Sequence, residues 1–283
     1  MPKTESPLRY PGGKAKLYSL IKPIVSQNIH GRNRTYIEPF AGGSGLALQL
    51  LYNGDVDRLV LNDIDYNVFC FWDICLHDAD SLCTLIRNCE VNMETWVEQR
   101  DVYVNSSEHT SLEIAFATFF LNRCNISGII CGGPIGGHNQ TGNYKLDARF
   151  TKEDLIRKIQ CIYSERGRIS FFNLDAKEFL RQIPQIYGRN ETIFNIDPPY
   201  VKKGPMLYEN SFTIEDHTQL AQTIRKLDYK WIVTYDECET VYTLYPNFRK
   251  EIITLNYSIG NTRTGRELII YSDNIDLAIP VAL

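Results

Sequence analysis

The residues best equipped for chemistry lie together in Asn195-Ile196-Asp197-Pro198-Pro199-Tyr200. The segment follows an apolar β-type run, Thr192-Ile193-Phe194, and ends in two prolines that suit neither a strand nor a helix interior. Each proline fixes φ, lacks an N–H and pushes the residue before it into an extended conformation. The expected result is a stiff stretch at a strand end, with uncommitted carbonyls, a carboxylate (Asp197) on one side and an aromatic ring (Tyr200) on the other. Such a set suits a flat ring bearing an amino group, offering acceptors to the amino hydrogens and a π-face to stack on. A Pro-Pro turn with a surface acid and a packed tyrosine fits the hexapeptide equally well, so the rest of the chain must decide.

A second candidate is Thr35-Tyr36-Ile37-Glu38-Pro39-Phe40-Ala41-Gly42-Gly43-Ser44-Gly45, where a short strand runs into a glycine turn ahead of an apolar helix. Strand, glycine turn and helix N-terminus form the nucleotide-cradling unit of α/β folds, although the G-x-G-x-x-G spacing of dinucleotide sites is absent. The next strand, Arg58-Leu59-Val60-Leu61, ends in Asn62-Asp63-Ile64-Asp65. An acid there can accept hydrogen bonds from ribose hydroxyls. Asp63 could instead cap the following helix, a task Asp65 or Asn62 could equally perform. Near the N-terminus, Tyr10-Pro11-Gly12-Gly13-Lys14 permits close backbone approach beside a cation, but it lacks P-loop spacing and is also read as a plain turn.

The elements that would position these residues alternate as strand and helix up to residue 65. Residues 66–121 then read as four helices: 66–76, 79–88, 93–104 and 111–121. Alternation resumes at 168–172, with a strand reaching Asp175, and continues through the strand ending at Asp197, a helix capped by Thr213, the strand 231–235, and a closing pair at 251–257 and 267–271. An interruption of this length exceeds an ordinary connection and predicts an inserted subdomain. The expected class is α/β, a doubly wound sheet of about seven mostly parallel strands. Its catalytic domain comprises 1–65 and 169–283, and the helical insertion spans 66–168. The insertion ends in Asn122–Lys145, a stretch with six glycines among Asn, Gln, Arg and Lys. Asn and Gln suit adenine edges, Arg suits guanine, and basic residues suit phosphates; by composition a flexible polar loop accounts for it as well.

Charge is unevenly distributed. The net charge of −4 conceals seven Lys/Arg against one acid in residues 1–35, three against fourteen in 36–121, and eight against four in 122–168. Two basic blocks flanking an acidic one allow a local anion-binding face on an acidic protein. The eight cysteines form no C-x-x-C pair and have no histidine cluster with them, so they read as small hydrophobes and no metal is expected. No run approaches a membrane span and the first residues lack the apolar core of a signal peptide, so a cytoplasmic location with no membrane partner is expected.

Taken in order, these motifs resemble the Dam-type (D12 class) DNA adenine-N6 methyltransferases. The resemblance rests on Arg-Tyr-Pro-Gly-Gly-Lys, Glu-Pro-Phe-Ala-Gly-Gly, Leu-Asn-Asp-Ile-Asp, Phe-Leu-Asn-Arg and Asp-Pro-Pro-Tyr, and spans nearly the whole chain. It implies a Rossmann-like methyltransferase fold with S-adenosyl-L-methionine as cofactor. Tyr10, Lys14, Glu38, Phe40, Gly42, Gly43, Asp63, Asp175 and Asp197 would form the cofactor site, with Asp175 near its adenine. Asp197, Pro198 and Tyr200 would be the catalytic group acting on an adenine flipped out of double-stranded DNA, and Tyr257 would offer a second stacking face. The insertion would be the target-recognition subdomain, with a Gly-rich hairpin whose Arg123, Asn139, Gln140 and Lys145 contact DNA. A monomer is expected, with a cognate restriction endonuclease as a possible partner. Ser44 departs from the family's last turn glycine, and the hairpin does not match the GATC-reading form, so sequence specificity does not carry over. Cytosine-N4 methylation by the same geometry is the alternative, against which Asp197 speaks, since that group carries serine there. A catalytically silent DNA-binding protein on the same scaffold is the other.

Overall fold

The structure, a computed structural model, describes residues 4–10, 14–201, 212–257 and 263–277, with the backbone only for 255–257 and 263–264. Pro11, Gly12 and Gly13 of the N-terminal motif, most of the loop after Tyr200, most of the polar loop after Tyr257, and the Tyr257 side chain lie outside the described residues.

The sheet has seven strands in the order β3-β2-β1-β4-β5-β7-β6. They are β1 (Thr35–Glu38), β2 (Arg58–Asn62), β3 (Ile169–Phe172), β4 (Thr192–Ile196), β5 (Lys230–Asp236), β6 (Lys250–Tyr257) and β7 (Arg263–Tyr271). β1 pairs in parallel with β2 and with β4, and β4 in parallel with β5. β7 runs antiparallel to both β5 and β6. Every residue of β1 and β4 is buried, as expected of central parallel strands covered on both faces. The expectation of a seven-stranded, mostly parallel α/β sheet holds.

The strand order reverses between β1 and β4, and ligands of open α/β sheets bind outside the carboxyl ends of strands at such a point. Glu38-Pro39-Phe40 leaves β1 there, and Asp197-Pro198-Pro199-Tyr200 leaves β4. Buried Asn62 ties neighbouring strand ends together. Its Nδ2 donates to the Pro39 and Leu174 carbonyls, and its Oδ1 accepts from the Leu174 N–H.

The chain divides into two compact units. One comprises residues 14–41, 46–62 and 174–283, the other 1–13, 42–45 and 63–173. The first carries most of the sheet, with α1 (Tyr18–Asn28), α2 (Gly45–Tyr52), α8 (Ala176–Gln182), α9 (Ile214–Arg225) and α10 (Glu239–Leu244). The second is mainly helical: α3 (Tyr66–His77), α4 (Ala79–Asn88), α5 (Met93–Val104), α6 (Ser111–Cys124) and α7 (Lys152–Ser164). Thr110 and Glu113 close a capping box on α6, whose residues from Ile114 to Asn122 are all buried. Stacked aromatic pairs, Phe71 with Phe119 and Trp72 with Phe171, fill the core of this unit. The helical unit also takes in residues 4–10, because Asn122 on α6 receives the Arg9 N–H on Oδ1 and donates through Nδ2 to the Arg9 and Gly128 carbonyls.

The expected Gly-rich hairpin differs in form. Residues 125–145 are a series of turns joined by one antiparallel bridge, Asn125 to Pro134, rather than two strands. Positive φ at Gly128, Gly136, Gly137 and Gln140 turns the chain too often for a ladder to form.

Candidate active site

Asp197 is the first residue beyond β4, and both of its oxygens are held. Oδ2 forms an ion pair with Lys14 Nζ at 2.8 Å, and Oδ1 accepts from Thr234 Oγ1 at 2.6 Å. Lys14 is buried and its Nζ also donates to the Tyr200 hydroxyl at 2.7 Å. The Tyr200 hydroxyl in turn donates to Glu267 Oε1, which lies 3.8 Å from Lys14 Nζ. Asp236 completes the arrangement by accepting the Val201 N–H at 3.0 Å, which anchors the backbone just past the tyrosine.

The scaffold explains why these groups meet. Thr234 and Asp236 are two apart on β5 and share one face of the sheet, and Glu267 on β7 lies directly opposite Asp236 in the antiparallel register. All three are buried, beside the apolar runs Trp231-Ile232-Val233 and Leu268-Ile269-Ile270. Two acids opposite one another in a sheet interior are unfavourable by themselves, and the buried Lys14 ammonium supplies a countercharge. Sequence reasoning identified Lys14, Asp197 and Tyr200 but missed Thr234, Asp236 and Glu267. The available signal was polar residues at period-two spacing in an apolar strand, together with an acid opening the apolar run Leu268-Ile269-Ile270.

In the helical unit a second set of residues gathers at the glycine turn. Gly42 has φ +47°, donates its N–H to Asp63 Oδ2 at 2.8 Å, and accepts at its carbonyl from Trp72 Nε1 at 2.9 Å. A methyl group at Gly42 would come within 2.8 Å of the Tyr10 ring, and one at Gly43 within 3.2 Å of Tyr10 Cβ. The turn is therefore a bare backbone surface with Tyr10 lying over it. Ser44, where the family has glycine, adopts φ +43°, a left-handed conformation that glycine takes without steric cost.

Asp65, rather than Asp63, caps α3, accepting from the Asn67 and Val68 N–H groups. Asp63 is thereby left for another task. Burial pushes its carboxyl up to about 6, against the lowering effect of backbone N–H donors from Asp65 and Gly42. An acid beside a glycine turn, at the end of the second strand, can accept hydrogen bonds from hydroxyl groups.

Of the remaining cofactor-site residues, Glu38 is buried at the end of β1 and Phe40 packs edge-on to Phe212. Asp175 is exposed and caps α8 through the Lys177 and Glu178 N–H groups. Pro198 is buried, and Tyr200 is 8% exposed. Among the described residues no cluster of His, Cys, Asp or Glu could hold a metal ion.

The residues expected to touch DNA are placed differently from one another. Arg123 donates from Nε and Nη2 to the Arg149 carbonyl and from Nη1 to that of Pro7, and burial lowers its pKa to about 10. Gln140 donates to the Ile135 and Gly137 carbonyls and accepts the Leu146 N–H, which closes its loop on itself. Lys145 is exposed, with Nζ on the Gln140 carbonyl, and Asn139 is exposed.

Over residues 10–259 the sequence matches the D12 class N6 adenine-specific DNA methyltransferases. The chain belongs to that family. This methyltransferase is 23% identical over 241 residues to the Type II methyltransferase M.MjaIII of Methanocaldococcus jannaschii, covering 78% of this chain and 79% of that protein. Two structures of the rRNA methyltransferase aviRa from Streptomyces viridochromogenes resemble it with TM-scores of 0.42 and 0.39. Identities are 11% and 12%, over 94% and 96% of this chain and 88% and 90% of theirs. Membership decides the base that the sequence had left between two readings, because the reaction is methylation of adenine N6 in DNA with S-adenosyl-L-methionine as donor. No helix among the described residues is long and apolar enough to cross a membrane.

Proposed function

We propose that Asp197 and the carbonyl of Pro198 accept the two amino hydrogens of an adenine flipped out of double-stranded DNA, and that Tyr200 provides its stacking face. The exocyclic amine is a poor nucleophile because its lone pair is delocalised into the ring. Two acceptors held in place favour a more tetrahedral nitrogen whose lone pair points out of the ring plane. Bound S-adenosyl-L-methionine supplies an electrophilic methyl group on a sulfonium, an already activated donor. What this chain contributes is therefore positioning and electrostatics. A base inside a duplex is out of reach, which is why flipping and an aromatic platform accompany this chemistry.

The observation that carries this reading is the Asp197 carboxylate. It stands on a Pro-Pro segment at the point where strand order reverses, held by Lys14 and Thr234. The cofactor is read as bound by Tyr10, Lys14, Glu38, Phe40, Gly42, Gly43, Asp63, Asp175 and Asp197. Support comes from the glycine turn that leaves no room for a side chain and from an acid left over from helix capping. Residues 66–168 are read as the target-recognition subdomain. Asn139 and Lys145 contact DNA from exposed positions, and Arg123 and Gln140 act through the loop they hold in shape. The enzyme is read as a cytoplasmic monomer serving a restriction-modification system with a cognate endonuclease.

Incubating the protein with radiolabelled S-adenosyl-L-methionine and unmethylated duplex DNA tests the assignment. The expected product is N6-methyladenine, and Asp197→Ala is expected to abolish it with the thermal unfolding transition intact. Label found solely in methylcytosine would overturn the reading.

A further inference from the structure

The carboxylate read as receiving the amine already has a partner, because Asp197 Oδ2 holds the Lys14 ammonium at 2.8 Å. Oδ2 has a second lone pair, but the Lys14 ammonium competes for its charge, so it accepts an amino hydrogen more strongly if Lys14 loosens its hold. A buried ammonium cannot simply be released, since an ion taken from its partner in the interior is strongly disfavoured. A second carboxylate is close by. Glu267 Oε1 lies 3.8 Å from Lys14 Nζ, and the Tyr200 hydroxyl between them accepts from Lys14 and donates to Glu267.

We infer that Glu267 is a positioning residue for methyl transfer, providing the counter-ion onto which Lys14 shifts as adenine engages Asp197, while holding the Tyr200 ring by its hydroxyl. This rests on the reading of Asp197 as the acceptor of the amine. The strands favour the assignment. Glu267 is fully buried on β7, in register with Asp236 on β5, so its carboxylate is fixed by two paired strands rather than by a loop. The shift is short, because Lys14 already lies between the two carboxylates, and it keeps the ammonium paired throughout. It leaves Asp197 with Thr234 on Oδ1 and the amine on Oδ2. Tyr200 keeps its orientation during the shift, since its hydroxyl is bonded to both Lys14 and Glu267.

Glu267→Gln separates this role from simple packing. The amide oxygen can still accept from Tyr200, but the negative charge is gone and Lys14 stays on Asp197. The expected result is a kcat lower by about 10–100-fold, the range for losing a charged hydrogen-bond partner, read at saturating cofactor on unmethylated genomic DNA. Calorimetric Kd for S-adenosyl-L-methionine and the thermal transition should stay near wild type. A kcat within twofold of wild type overturns the inference. So does a parallel loss of kcat, cofactor affinity and thermal stability, which is what a purely structural residue would produce. If Glu267→Gln does not fold, Glu267→Asp, which keeps the charge but withdraws it, must lower kcat at unchanged Kd or the inference fails. Asp197→Ala, which removes both acceptor oxygens, is the control. If it still methylates, the acceptor reading has failed; if it is dead and Glu267→Gln is normal, only the present inference has.

Discussion

Asp63 and Gly42 face each other across one hydrogen bond, and each constrains the other's chemistry. Burial raises the Asp63 carboxyl from 3.8 to about 6, so the folded state holds that proton more tightly than the unfolded chain does. Its contribution to stability is therefore present in full below pH 3.8 and is lost as pH rises through about 6. Asp63→Asn should remove that slope, and urea titrations of both proteins between about pH 4 and 7 will reveal it. Cofactor affinity should run the opposite way. A carboxylate accepts ribose hydroxyls better than the protonated acid, so wild-type affinity should fall up to about tenfold per unit below pH 6, while that of the Asn variant stays flat. Calorimetry across the same window checks it. Gly42→Ala should destabilise the fold by about 1–2 kcal/mol for the left-handed conformation alone, and displacing Tyr10 should weaken cofactor binding further, both measurable on one purified variant.

Among the elements, α6 has a role not legible in its sequence. Phe-Leu-Asn-Arg resembles part of a DNA-reading segment, yet buried Asn122 joins the N-terminal strip to the helix through two hydrogen bonds to Arg9, and a third holds the Gly128 carbonyl. Asn122→Leu should cost roughly 2–3 kcal/mol, since it removes the partner of the part-buried Arg9 N–H and carbonyl and of the buried Gly128 carbonyl, and denaturant midpoints will measure this. The strands, by contrast, were readable almost throughout, because buried parallel strands declare themselves as apolar runs bounded by Pro, Gly and Asp. The positions of Asp197 and the glycine turn are readable for the same reason, since each stands just past a strand end. Glu267 and Thr234 were not, because their meaning depends on which strands become neighbours. β5 and β7 are adjacent in space but separated in sequence by α10 and β6. The turns of 125–145 were misread as a hairpin because glycine content announces reversals without saying how many.

For the whole molecule, an acidic protein that binds DNA must do so through a local basic surface. Alanine at Arg123, Asn139, Gln140 and Lys145 together should weaken duplex binding and relax site preference. It should also flatten the dependence of log affinity on log salt by about 0.9 for each phosphate no longer neutralised, as fluorescence anisotropy at several salt concentrations would record. Unchanged binding and site preference would move the DNA interface elsewhere. The sheet's centre has a further consequence. β1 pairs with β4 in the register Thr35 to Thr192, so all of residues 39–191 must be synthesised before the middle of the sheet can close. At about 5–20 residues per second, that is on the order of ten to thirty seconds during which the apolar edge of β1 leaves the ribosome without its partner. Pairing across so long a loop is intrinsically slow. A holding chaperone should therefore raise the folded yield of nascent chains, and so should slow, cool expression, as soluble yield at two temperatures will measure.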